Sequence, residues 1–271
     1  VGFTLVSVAH LSWGAELASH AQDRSRVQGW REFAVVAGML LVLIVPALVN
    51  ALDLGGFGAE VQIMGLVIIV GVPLTALLAI FFLPEPQQLT RSASLRLPQI
   101  FRLVISNKPL LIILLVELFV GFGTGVLGSL FRFYFVSVVD LGQHADRVLL
   151  AYFGTGLLAV PFWMLLSYRV GKRNALLIGL AYSALANLAI LLIPTGAFVP
   201  AFSMMVLVGA VYGASPFLLR ALIADVARAE EKRSDAAIAG AYFGLLLMVA
   251  KIGLALSVGV TYSIISHAGF D

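Results

Sequence analysis

The chain has 271 residues, 61% of them apolar, and carries 17 Lys or Arg against 14 Asp or Glu. A soluble domain averages about 25% charged residues, so 11% with a mean hydropathy of +1.04 excludes a soluble enzyme, a disordered chain and a nucleic-acid binder. The absence of cysteine from the sequence also excludes disulfide scaffolds and thiol nucleophiles.

A helix must supply about 20 apolar residues to cross a bilayer while satisfying its own backbone. From Val1 to about Ala18 the chain offers a first such run, and 33–52 and 61–83 follow without a charge. Residues 109–131 are interrupted only by Glu117, and 148–168 is again charge-free. The stretch 174–219 is too long for one crossing, and Pro194, Thr195, Gly196 and Pro200 divide it in two. Residues 236–266 contain only Lys251. The expectation is an all-α polytopic bundle of about eight membrane helices, with no strand-like alternation long enough to compete.

Basic residues are retained on the cytoplasmic side and so give direction. Thirteen fall in alternate loops: Arg24, Arg26 and Arg31; Arg91, Arg96, Arg102 and Lys108; Arg169, Lys172 and Arg173; Arg228, Lys232 and Arg233. The intervening loops hold Arg147 alone, which puts both chain ends outside. Residue 1 is Val, inside an apolar run, and the chain stops just past a helix, so the sequence reads as a fragment. Residues 84–108, the longest polar stretch, form a cytoplasmic inter-domain loop between 1–83, the end of one half, and 109–271, the other half.

An internal repeat supports two halves. Ala15, Glu16, Leu17 and Ala18 precede Arg24 and Ser25, while Ala224, Asp225, Val226 and Ala227 precede Arg233 and Ser234, an offset of 209 residues spanning six helices. Two six-helix halves related by an axis along the membrane normal produce this pattern, as in major facilitator transporters. On that scheme the chain holds helices four to eleven of twelve. The turn Arg169, Val170, Gly171, Lys172, Arg173 is similar to the basic turn of that superfamily.

Two stretches narrow the resemblance. His10, Leu11, Ser12, Trp13, Gly14, Ala15, Glu16 and Leu17, then Asp23, Arg24, Trp30 and Arg31, resemble the fourth helix and following loop of the glycoside-pentoside-hexuronide:cation symporters, the melibiose permease group. Ile223, Ala224, Asp225 and Val226, through Tyr242 to Lys251, Ile252 and Gly253, resemble that family's segment from helix ten to helix eleven. The resemblance implies Na⁺- or H⁺-coupled symport of a sugar or related solute by alternating access, with Arg31 near the sugar and Lys251 facing the cavity. Ser7 stands where the family places a helix-four aspartate, and Leu246 and Leu247 where it places polar residues; the resemblance names neither ion nor sugar.

Ionisable residues inside the membrane are the candidate solute and ion pathway. Lys251 lies about 21 Å of helix from either end of its span, beyond snorkelling reach, and must meet a cavity or an anion. Glu117 sits among Gly121, Gly123, Gly125 and Gly128, where a carboxyl group suits proton coupling or pairing with a cation. Arg132, 15 residues on, lies about 60° around the helix from Glu117 and either snorkels to the outer interface or captures an anionic solute. Glu16, Arg24, Asp225 and Arg233 are a candidate cytoplasmic gate, with Arg220 in the same layer. His10, His20, His144 and His267 have no metal-ligand spacing, and no phosphate-binding loop, catalytic constellation or cofactor signature is present.

The reading is therefore a multi-pass transporter of a bacterial inner membrane, monomeric, with no enzymatic activity and no cofactor beyond a coupling ion. A lipid, drug or organic-anion carrier on the same fold, and a non-transporting scaffold or sensor, are the alternatives.

Overall fold

The computed structural model describes residues 2–17, 20–53, 57–82, 97–234, 238–267 and 269. These form ten α-helices: α1 (Gly2–Glu16), α2 (Ala21–Ala51), α3 (Phe57–Phe82), α4 (Leu97–Ser106), α5 (Lys108–Phe133), α6 (Ala145–Val170), α7 (Lys172–Ile190), α8 (Phe198–Gly209), α9 (Ala214–Ser234) and α10 (Ala239–His267). A single π-helical turn, Tyr134–Val138, extends α5. No strand occurs among the described residues. Seven stretches are long and apolar enough to cross a membrane: α2, α3, α5 with its π turn, α6, α7, α8 with α9, and α10. α1, expected to be a crossing, is described from Gly2 to Glu16, 15 residues.

Three expectations need correction. α2 begins at Ala21, twelve residues before the apolar run starts, so Arg24, Arg26 and Arg31 are helical rather than loop residues. The extension is stable because its polar face packs on α9 instead of water, and Asp23 sits in the first turn, where a negative charge complements the helix dipole. The second correction is a break inside the expected tenth helix. α8 stops at Gly209 and α9 starts at Ala214, joined by short-range bonds such as Tyr212 N–H to Gly209 O at 2.9 Å and Ala214 N–H to Val211 O at 3.0 Å. The Trp163 indole N–H donates to the freed Ala210 carbonyl at 2.6 Å, giving a partly buried carbonyl the partner it needs. The expected division near Pro194 is found, with α7 ending at Ile190 and α8 starting at Phe198.

The third concerns the repeat. At an offset of 209, Glu16 closes α1 whereas its counterpart Asp225 lies in the interior of α9. Arg24 belongs to α2, the second helix of its pair, while Arg233 sits in the last turn of α9, the first of its pair. The matched residues occupy different places because α9 runs nine residues past Asp225. Of the loop expected over 84–108, residues 84–96, with Arg91 and Arg96, lie outside the described residues.

Two apolar clusters organise the bundle. The larger lies toward the end rich in basic residues and includes Leu11, Leu110, Trp163, Phe217, Ile223, Tyr242 and Phe243. The smaller, around Phe135, Val148, Ile193 and Met205, lies toward the opposite end. α5 and α10 cross closely at glycine: a Cβ on Gly253 would lie 2.5 Å from the Leu118 carbonyl oxygen, and one on Gly121 2.8 Å from that of Ala250. Small residues permit such backbone approach where lipid supplies no hydrophobic drive between helices. The helices before the loop meet those after it where α2 packs on α6 and α9, and where α1 packs on α10.

Candidate functional site

The charges cluster where α2 meets α9. Arg24, on the first turns of α2, donates from Nε to Asp225 Oδ1 on α9 at 2.7 Å. The other Asp225 oxygen accepts from Lys172 Nζ, at the start of α7, at 2.5 Å. Their side chains are 9% and 12% exposed, against 29% for Asp225, so one carboxylate bridges two largely desolvated cations. That carboxylate offsets part of the positive charge the two cations place in low dielectric, and its removal is costly. Of the expected gate, Arg24 and Asp225 are brought together. Arg233 is exposed in the last turn of α9, and Lys172 makes the contact instead. The side chain of Glu16 lies outside the described residues.

Two turns further along α2, Glu32 and Arg220 form a second ion pair between α2 and α9, with the glutamate side chain 4% exposed and the arginine 20%. Glu117 on α5 is half-buried and lies within electrostatic reach of both members, as does Tyr212 in the turn before α9. Glu117 thus shares the electrostatic surroundings of this pair, and no hydrogen bond or ion pair joins it to Lys251 among the described residues. Arg31, adjacent to Glu32, donates from Nε to His10 Nδ1 of α1 at 3.2 Å.

Lys251 lies 12 residues into α10, about 18 Å from its basic end, and donates from Nζ to Thr4 Oγ1 on α1 at 2.5 Å. The ammonium group thus points across the α1–α10 seam, is exposed in this chain, and takes a hydroxyl rather than a carboxylate as its partner. Arg132 is exposed in the last turn of α5, apart from these groups. The aromatic side chains have structural partners: Tyr134 donates to the Ile190 carbonyl at 2.8 Å, and Tyr242 is buried against Asn107.

Sequence reasoning missed Glu32 and took Lys172 for a loop charge. Glu32 stands one residue before an apolar run and Arg220 one residue after another. Acid and base at the edges of two separate runs is the signal that could have paired them. A third polar centre joins elements after the loop: Asn107 caps α5 by accepting the Leu110 N–H at 3.1 Å, and its Nδ2 donates to the buried Glu230 at 3.2 Å. Among the described residues no group of three or more His, Asp or Glu is placed to hold a metal ion.

Comparison with known proteins adds to this geometry. A family model described as MFS/sugar transport protein matches residues 1–271. The chain belongs to this family. It is also similar to an uncharacterized symporter, YjmB, of Bacillus subtilis (strain 168), with 24% identity over 210 residues, 73% of this chain and 44% of the relative. The chain thus spans less than half the length of the curated relative it matches. Seven long apolar stretches and the family match make it an integral, multi-pass membrane protein. The family is one of transport proteins, not enzymes.

Proposed function

We propose that this chain is part of a cation-coupled symporter for a sugar or related small solute, working by alternating access in the cytoplasmic membrane of a bacterium. The observation that carries the reading is the pair of ion-paired centres, Arg24–Asp225–Lys172 and Glu32–Arg220, that join α2 to α7 and α9 at the basic end. They bind helices before the 84–108 loop to helices after it and act as the inner gate. Breaking them while the opposite end closes exposes the same central site to the other side. Residues 1–83 and 109–271 move against one another as parts of two domains.

Lys251 and Arg31 line the solute path at mid-depth, and Glu117 is the proton carrier, competing with Glu32 for Arg220. Arg132 guards the outer mouth. The transporter works as a monomer with H⁺ or Na⁺ as coupling ion and nothing covalent done to the solute. The test is solute-dependent proton or sodium uptake into vesicles holding the full-length protein that carries this chain. Lys251→Leu is expected to abolish coupled uptake with insertion intact. Uptake unchanged by that substitution would remove Lys251 from the mechanism, and no solute-dependent ion flux in the wild type would remove symport.

A further inference from the structure

Of the five buried side-chain atoms with no hydrogen-bond partner among the described residues, four lie on one helix: Ser25 Oγ, Gln28 Nε2 and Oε1, and Arg31 Nη1. They recur every third residue along α2 and span about 9 Å of its axis. Ser25 is 1% and Gln28 0% exposed. The row is enclosed at each end by a residue committed to α9, Arg24 just before Ser25 and Glu32 just after Arg31. Beside it α1 contributes a glycine, Gly14, whose missing side chain leaves the Gln28 amide nitrogen 3.8 Å from the Cβ position.

An amide sealed away with neither its donors nor its acceptor used is costly, and an apolar residue of that size would pack there more cheaply. A row of such groups therefore points to a partner that arrives when the enclosing ion pairs open. Gln28 offers donors and an acceptor, Ser25 one hydroxyl of either role, and Arg31 donors only. Hydroxyl groups, which both donate and accept, satisfy this set; an ammonium solute meets repulsion from Arg31, and an acyl chain leaves every member unpaired.

We propose that Ser25 and Gln28 are specificity-determining residues that hydrogen-bond the hydroxyl groups of a polyhydroxylated solute as it passes from Arg31 toward the basic end. This rests on the transport reading above. The inference concerns these two residues, so it fails separately from that reading. The test uses the full-length protein in proteoliposomes with labelled galactose and xylose and each of their monodeoxy analogues as probes, comparing kcat/KM for sugar and analogue.

In Gln28→Met, close to the native shape but without donor or acceptor, the preference for parent sugar over at least one analogue is expected to fall about five- to tenfold. Ser25→Ala, the smaller change, is expected to erase preference at a neighbouring hydroxyl and serves if Gln28→Met fails to insert. A role limited to holding water or shape lowers kcat/KM for sugar and analogues alike, leaves every ratio at the wild-type value, and overturns the proposal. Unchanged uptake of all probes by both variants overturns it too. A wild type that takes up none of the probes overturns the transport reading, and this inference with it.

Discussion

The Glu32–Arg220 pair allows the gate to be weighed. Replacing Arg220 by Leu leaves the Glu32 carboxylate, whose side chain is 4% exposed, without its cation between α2 and α9. Removing one partner of a buried pair typically costs about 3 to 5 kcal/mol. At about 1.4 kcal/mol per tenfold change, that is a shift of roughly a hundredfold to several thousandfold in the ratio of closed to open basic end. The sequence contains no cysteine, so a single Ala224→Cys on α9, at a position 2% exposed, reports opening by its rate of alkylation from the basic side. Arg220→Leu is expected to raise that rate at least a hundredfold unless labelling first reaches the fully exposed limit. Glu32→Leu combined with Arg220→Leu removes both charges, and matched apolar replacement of a buried pair is often neutral; the double variant should label near the parent rate. A single Arg220→Leu protein that labels no faster than its parent refutes the assignment of this pair as a gate.

Four further outcomes follow from the same contacts. Asp225→Leu should speed the same labelling more than Lys172→Met or Arg24→Met, because the carboxylate on α9 makes both contacts while each cation makes one of them; equal rates would show that the carboxylate is not the hub. Gly253→Val drives a side chain into the Leu118 carbonyl and should lower thermal stability by about 1 to 3 kcal/mol, whereas Gly259→Ala, with nothing within 4 Å, should not lower the melting temperature, since alanine is the better helix former. Trp163→Phe deprives the Ala210 carbonyl of its donor and should cost about 1 to 3 kcal/mol in a denaturant titration; a neutral result would mean that the break between α8 and α9 does not need that bond. Asn107→Ala loses the α5 cap and should cost about 1 kcal/mol by the same titration.

The crossings that lie in lipid were legible because hydropathy reports the solvent a helix requires. The run 61–83 and the helix Phe57–Phe82 nearly coincide, and the span window of that helix has no buried residue. α2 was legible only in its outer part. Its first twelve residues, from Ala21, carry the charges that read as loop, yet they are helical because their partners are Asp225 and Arg220, some 200 residues away. Composition along one segment contains no trace of such a partner. The turn at Ala210–Gly213 was illegible for a related reason. Gly209, Gly213 and Pro216 lie in or beside it, but they sit inside a continuous apolar run, and what stabilises it is the indole of Trp163 on another helix. Of the site, isolated ionisable residues such as Glu117 and Lys251 could be named from sequence, but their neighbours could not: Glu117 lies within electrostatic reach of the Glu32–Arg220 pair, and Lys251 finds Thr4.

The four-residue interruption between α8 and α9 also bears on how such a bundle deforms. α8 is held against α6, where Gly209 lies on the Tyr152 carbonyl, while α9 is tethered to α2 by side-chain charges. A rod built in two lengths does not have to swing as one. Its lower segment can tilt away from α2 about the joint while the upper segment keeps its seat, confining the backbone cost of opening to a few dihedral angles rather than spreading it over a whole group of helices.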